Sequence, residues 1–351
     1  MNLGIGLGLT NYLRVPTVAL DPDAAISELF RTGTPGVYYE GAWYDPSDST
    51  TVFQDAAGRT PATAGDPVGL ILDKSKGLTL GPELVTLSLP ASYTNYTGYI
   101  ILGTSKVVGS WYKYQFTLSS VTSGGVSIHP ERAGIYDSAD GTYSYIINST
   151  STALRFYANN FTGTIDSVTV KELPGNHATQ TTSAARPVLQ SSGGLYYLDF
   201  DGVDDVLVAA SVTAGTFKSV MFAAGDKAGN PTRMVGMGTT GNYAGQYNNS
   251  AIWYLPNELS GRIGGTWLNG ADAVASFLSD EVNVSGWVNG ALGINNAPTT
   301  ALTTNGLRLG SSSASYSECD IYGLIVVDRV VSTPEREATE TYLATKSGVT
   351  L

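Results

Sequence analysis

Three aspartates within five positions, Asp201, Asp204 and Asp205, form a dense cluster of ligand-type side chains in Leu198-Asp199-Phe200-Asp201-Gly202-Val203-Asp204-Asp205. Three chemistries fit that residue type. A hard cation such as calcium takes six to eight oxygens, and these carboxylates with nearby turn carbonyls could supply several of them. A glycosidase needs two carboxyl groups roughly 5 to 10 Å apart, but side chains of one tight turn point in diverging directions. Turn aspartates also accept hydrogen bonds from adjacent backbone amides, so a purely structural turn is the competing reading. Asp137 and Asp140, in Tyr136-Asp137-Ser138-Ala139-Asp140-Gly141, repeat the pattern more weakly.

Little else in the sequence can do covalent chemistry. The two histidines, His129 and His177, fall in Pro-, Gly- and Ser-rich text, and His177 is expected to be a solvated loop residue. The chain has no Gly-x-Ser-x-Gly elbow, no Cys–His pair, no zinc-ligand spacing and no P-loop. Cys319, the single cysteine, excludes an intramolecular disulfide and reads as a small buried hydrophobe. The expectation is a protein without an active site, and without a cofactor unless the aspartates hold calcium.

Aromatic stacking is the remaining chemistry. Trp111, Tyr143 and Tyr157 stand beside polar residues in strand-like text, as sugar-binding rings do. A single ring on a core face is ordinary packing, and a binding patch needs several on an exposed face. The strands that would carry these rings are plain. In Trp111 to Leu118, Tyr112, Tyr114, Phe116 and Leu118 lie opposite Trp111, Lys113 and Gln115. Thr142 to Ile147 and Ala153 to Ala158 alternate likewise, and the segment closes on Gly163-Thr164-Ile165-Asp166-Ser167-Val168-Thr169-Val170. The aspartate cluster sits between Leu195–Phe200 and Val206–Val208, two strands joined by an Asp201-Gly202 turn. Further strands are expected at Thr216–Ala224, Arg233–Gly238, Gly286–Gly290, Leu307–Ser311 and Cys319–Arg329. A final helix starts at a Ser332/Glu335 capping box, stops before Gly348 and turns Ala338, Tyr342 and Thr345 to one side.

Composition agrees. Of 351 residues only 14% are charged, while Gly numbers 41 and Tyr 21, a profile of short strands and polar turns rather than charged helices. The fold class is all-β. A net charge of −11 argues against nucleic acid and anionic membrane as partners. The first residues carry no basic n-region and no apolar run of spanning length, so assembly in a cytoplasm is expected, without membrane insertion. Those residues, MNLGIGLGLTNYL, alternate glycine with Leu3, Ile5, Leu7 and Leu9, an apolar ribbon suited to docking on another subunit. A short helix is expected from Pro22 to Arg31.

Three stretches carry resemblances. Trp43-Tyr44-Asp45-Pro46-Ser47-Asp48, Phe53-Gln54-Asp55-Ala56-Ala57-Gly58 and Gly65-Asp66-Pro67-Val68-Gly69-Leu70-Ile71-Leu72-Asp73-Lys74-Ser75 resemble a segment near the N-termini of tailed-bacteriophage appendage proteins. Asp48, Asp55, Asp66 and Asp73 read as turn formers and caps. The Tyr-rich strand and the closing Gly-Thr-Ile-Asp-x-Val-x-Val of residues 84–174 resemble jelly-roll carbohydrate-binding modules. Leu198 to Asp205, together with Ile321-Tyr322-Gly323-Leu324-Ile325-Val326-Val327-Asp328-Arg329 and the helix, resembles laminin-G and concanavalin-A-like sandwiches.

The resemblances imply an attachment segment (1–83), a first sandwich (84–174), a linker (175–190) and a second sandwich (191–351). That makes two consecutive antiparallel β-sandwiches of jelly-roll type behind a small irregular segment, with a short C-terminal helix. The implied function is a non-enzymatic tail or head fibre on a virion surface. Leu3, Ile5, Leu7 and Leu9 would attach it to other virion proteins, and Trp111, Tyr143 and Tyr157 would contact host cell-surface polysaccharide. A homo-oligomer, by analogy a trimer, would multiply weak sugar contacts. A decoration or cement protein that binds no sugar is the alternative, and a polysaccharide-degrading enzyme is a third.

Overall fold

The computed structural model describes residues 21–210, 212, 218–227, 232–237, 242–247, 250–254, 266–280, 282–298, 306–312 and 315–351. Leu3, Ile5, Leu7 and Leu9 lie outside the described residues. Helix α1 (Pro22–Glu28) begins at Asp21, whose carboxylate accepts from the Asp23 amide. Three short strands follow: β1 (Gly41–Tyr44), β2 (Val52–Phe53) and β3 (Leu70–Ile71). Four long ones come next: β4 (Ala91–Ile101), β5 (Trp111–His129), β6 (Gly141–Asn148) and β7 (Arg155–Glu172). Then come β8 (Ala178–Thr179), β9 (Val188–Ser192), β10 (Leu195–Asp201), β11 (Leu207–Ala209) and β12 (Ser219–Asp226). These are followed by β13 (Thr232–Met237), β14 (Asn242–Tyr247), β15 (Ser250–Tyr254), β16 (Asp272–Ser279), β17 (Asn283–Val288) and β18 (Ala291–Pro298). The last are β19 (Leu307–Leu309), β20 (Ser311–Ser312), β21 (Ser315–Tyr316) and β22 (Glu318–Val327), before helix α2 (Thr333–Ser347). The fold is mostly strand, in antiparallel sheets, with a short C-terminal helix.

Two 8-stranded sheets form the body, with strand orders β18-β17-β16-β12-β22-β10-β9 and β15-β14-β13-β19-β11-β8-β3-β2; β1 joins the first by pairing with β22. Between them lies one apolar core that includes Tyr44, Leu198, Phe200, Leu207, Phe222, Trp267, Phe277 and Leu324. Each such side chain contributes about 1.5–3 kcal/mol on leaving water. The outer face of the first sheet is covered too. Leu343 and Tyr342 of α2, with Ile26, Phe30 and Trp43, pack on Met221, Ala223, Val274 and Ile325. Being covered on both sides is why β22 reads as an unbroken apolar run rather than an alternation.

Helix α2 presents a different side from the one expected. Its capping box forms, with the Glu335 carboxylate accepting from the Ser332 amide at 2.7 Å. Yet Ala338 and Thr345 are exposed, and Arg336, Thr339, Glu340, Leu343 and Ser347 are buried with Tyr342. Arg336 and Glu340 tolerate burial because they pair with each other, with Arg336 also 4.5 Å over the Trp287 ring.

The body begins well before residue 191. Strand β1 pairs with β22, Trp43 opposite Ile325, and β3 pairs with β8, Leu70 opposite Thr179. Residues 41–71 are therefore built into the sheets of the body, and so are Ala178–Thr179 and Val188–Ser192 within and beside the stretch expected as a linker. Strands of two to five residues carry too little alternation to show this in the sequence. The long-stranded segment is an insertion between two neighbouring strands, β3 and β8. Strands β10 and β11, expected to form a hairpin, belong to opposite sheets, so the aspartate turn is a crossover between layers.

The insertion is a single four-stranded sheet, β4-β7-β5-β6, rather than two sheets face to face. Strands β5 and β7 pair in two stretches, Tyr112–Ser119 with Thr164–Glu172 and Ser123–His129 with Arg155–Thr162, separated by register breaks. Each break resets the alternation, so that Phe156 and Ala158, then Phe161 and Ile165, then Val168 and Val170 all face inward. Residues of both stretches share one core with Tyr112, Tyr114, Phe116, Val126 and Ile128. The sheet thus bends over its own side chains, and both stretches share one core without a second sheet.

Candidate functional site

Asp73 ties down the place where the insertion leaves the body and returns. Its carboxylate is fully buried and accepts from the amides of Trp43 (2.8 Å), Ser75 (2.8 Å) and Asn176 (2.7 Å) and from the Ser75 hydroxyl. Its own amide donates to His177 Nδ1 at 2.9 Å. Burial raises the Asp73 carboxyl above the usual range, although the four donors oppose that shift. His177 is buried against Trp111, not solvated as expected, and burial holds its ring well below the ordinary imidazole value, at about 3. Asp73 is more than a turn former. By contrast Asp48, Asp55 and Asp66 do cap local turns, through Thr50, Ala57 and Thr63 amides. Asp73 and His177 are thus buried in the joint itself.

The aspartate cluster does come together. One carboxylate oxygen from each of Asp201, Asp204 and Asp205 lies within 4.8 Å of the others. Turn chemistry already uses the cluster, since Asp201 Oδ1 accepts from the Val203 and Asp204 amides and Asp205 Oδ2 accepts from the Asp201 amide. Gly202 provides the φ of +78° that the turn requires. Burial, and then repulsion from Asp201, Asp204 and Asp199, pushes the Asp205 carboxyl up to about 6. The donor type suits calcium, but three carboxylates giving one oxygen each cover at most half of its six- to eight-oxygen shell. Neighbouring Asp199 and Asp320 share Lys227, at 2.9 and 2.8 Å, and Tyr322 donates to Asp272 at 3.0 Å. Those body carboxylates are engaged with protein partners.

The three rings expected to bind sugar are scattered. Trp111 is buried with Leu70, Leu72, Ile146 and Leu173, because residues 53–78 cover that face of β5. Tyr143 stacks on Phe116 at 5.2 Å and donates its hydroxyl to the Ala139 carbonyl. Tyr157 alone stands on an outward face, and it has company there. Register places Tyr99 opposite Tyr157, Ile101 opposite Arg155, and His129 opposite Arg155, on three adjacent strands. The Tyr99 and Tyr157 rings meet edge-on at 5.4 Å, and His129 lies 5.1 Å from Tyr99 and 6.0 Å from Tyr157. The Arg155 guanidinium sits 3.8 Å from the Tyr99 ring centroid. Tyr99 is 46% exposed and Ile101 60%.

Among the described residues, neither the Tyr99 nor the Tyr157 hydroxyl has a protein hydrogen-bond partner. Tyr99, His129 and Arg155 are not among the rings and ligands expected from the sequence. The signal was present in the Arg155-x-Tyr157 alternation; what was missing was the register that sets Tyr99 and His129 beside it. The face offers stacking surface, two phenol hydroxyls, one imidazole and one cation.

The sequence matches no family model and no curated protein. Solved structures show partial likeness. A Trypanosoma rangeli sialidase bound to the inhibitor DANA has a TM-score of 0.34 at 12% identity, over 46% of this chain and 28% of its own. A mutant of that sialidase displaying trans-sialidase activity has 0.35 at 10%, over 55% and 42%. The binding domain of botulinum neurotoxin DC, in complex with SialylT, has 0.34 at 11%, over 48% of each chain. The chain spans less than half the length of each of these structures, and likeness of that extent assigns it no activity.

Proposed function

We propose that this chain is a non-enzymatic, glycan-binding appendage of a tailed-phage virion, which presents the inserted sheet to a bacterial surface polysaccharide. The observation that carries the glycan reading is the pair of exposed Tyr99 and half-buried Tyr157, flanked by His129 and Arg155 on a sheet face. Such rings stack on the C–H faces of sugars while phenol hydroxyls and a guanidinium bond to their oxygens. The virion reading rests on the resemblance of residues 43–75. With it go attachment through Leu3, Ile5, Leu7 and Leu9, a homo-oligomer, and a place on the particle surface. Burial of Trp111 and packing of Tyr143 favour the second reading, a decoration protein that binds no sugar.

The test is a glycan array, with binding to host cells before and after removal of capsule and lipopolysaccharide, using the oligomeric full chain. Binding that falls at least tenfold in Tyr157→Ala and Tyr99→Ala is expected. Background signal from the wild type on every glycan and on intact cells would overturn the proposal. New reducing ends after incubation with host polysaccharide would instead mark an enzyme.

A further inference from the structure

Little holds the charge of Arg155, in contrast to several other arginines of the molecule. Arg186 divides its guanidinium among the carbonyls of Gln180, Gln54 and Thr181, at 3.1 Å each. Arg132 pairs with Asp137, Arg329 with Glu335 and Arg336 with Glu340. Arg155 has one polar contact among the described residues, a 3.5 Å approach of Nη2 to His129 Nδ1, and its Nε is enclosed without an acceptor. What positions it is the Tyr99 ring beneath and the strand register, not an anion.

The surroundings leave that charge uncancelled. Two carboxylates of the inserted segment are already paired elsewhere. Glu131, two residues beyond His129, is buried with Lys106 at 2.6 Å, and Asp137, opposite Val126, is held by Arg132 at 2.9 Å and by the Tyr145 hydroxyl. Among the described residues this guanidinium therefore has no acidic partner, on an open aromatic face of a chain of net charge −11. A guanidinium presents paired N–H groups that match a carboxylate or sulfate, and stacking on an aromatic ring keeps it planar and oriented.

We infer that the Tyr99–His129–Arg155–Tyr157 face takes an anionic saccharide, with a carboxylate or sulfate group on Arg155 and the adjoining sugar ring against Tyr157. This rests on the glycan reading above and narrows it to acidic polysaccharides. Arg155 acts as the specificity-determining residue: the rings accept any sugar face, and the guanidinium selects the charged one.

The experiment measures binding of the full chain to immobilised polygalacturonate, polysialic acid and dextran sulfate. Carboxyl-reduced polygalacturonate, carboxyl-reduced polysialic acid and plain dextran are the matched neutral forms. The wild type is expected to favour at least one acidic polymer over its neutral form by roughly tenfold or more, the range of a charge-assisted hydrogen bond. Which polymer is favoured separates uronate, sialate and sulfate. Arg155→Gln should erase the preference while keeping any weak binding of the neutral form, and Arg155→Lys should restore part of it. Circular dichroism melting of both variants at the wild-type temperature checks that the sheet persists. Equal binding of acidic and neutral polymers, lost in Tyr157→Ala, would overturn the anion inference and leave the glycan reading standing. No binding of any polymer, on this panel and on the array, would overturn both.

Discussion

Strand β7 of the insertion turns Phe156 and Ala158 inward and Arg155 and Tyr157 outward, whereas β22 of the body buries every residue from Cys319 to Val327. The contrast follows from what covers each sheet. The body's first sheet has the second sheet on one side and α2 with Trp43 and Phe30 on the other. The inserted sheet is bent over its own core and leaves much of its convex side to solvent. Polar residues at the rim of the body pair with one another, as Lys227 does with Asp199 and Asp320. On the insertion, aromatic rings and a cation are left for an external partner. In the proposed function the body is thus a mount, and recognition falls to the insertion.

The sharpest way to break that relation is to cut the joint between the two regions. Asp73→Ala removes the acceptor of three buried amides, those of Trp43, Ser75 and Asn176. Each orphaned buried donor costs about 1–3 kcal/mol, so the loss should exceed about 3 kcal/mol. Urea unfolding should shift to a lower midpoint, and the insertion and body should separate into two transitions. A single transition at the wild-type midpoint would mean that the joint holds nothing.

Two adjacent residues sharpen the comparison within one strand. Phe156→Ala opens a cavity in the insertion core and should cost about 3–5 kcal/mol. Tyr157→Ala, one position on, should cost less, about 1 kcal/mol, because its ring is only half-buried and outside the core, while removing most glycan binding. Thermal melts and binding to the preferred polymer read both effects. The reverse ranking, with Tyr157 dominating stability, would show that its ring is structural.

How much of this was legible varied with strand length. The alternation of Tyr112, Tyr114, Phe116 and Leu118 predicted the insertion core correctly, because a long strand repeats its pattern enough times to be read. Strands β1, β3 and β8, with two to four residues, gave no such repeat, and β1 meets β22 across most of the chain's length. So the first 83 residues read as a separate anchor although 41–71 belong to the body. The same limit affected the candidate site. Tyr157 was visible as an alternating ring, but Trp111 has the same local signature and is buried only because residues 53–78 return over it. A cover that comes from distant sequence leaves no mark on the residues it covers.

The smallest effects concern charge, and they set two carboxyls of the body against each other. Glu335 is pulled down to about 2, by Arg329 first and then by the Ser332 cap. Its unfolded value is about 4.3, so its contribution is present above that pH and fades as pH falls toward 2. Asp205 runs the other way. Its carboxyl is raised to about 6 against about 3.9 unfolded, so its stability is full below about pH 4 and is lost as pH rises through 6. Asp205→Asn keeps an acceptor for the Asp201 amide and removes the titration. Its melting temperature should therefore exceed the wild type by about a degree or more at pH 7.5 and match it near pH 4. Calcium adds a direct discriminator, because a bound cation would reverse the balance. If millimolar calcium at pH 7.5 raises the wild-type melting temperature above that of Asp205→Asn, the cluster is a cation site. If calcium leaves both unchanged, the three aspartates are turn chemistry alone, and their charge serves the crossover between the body's sheets.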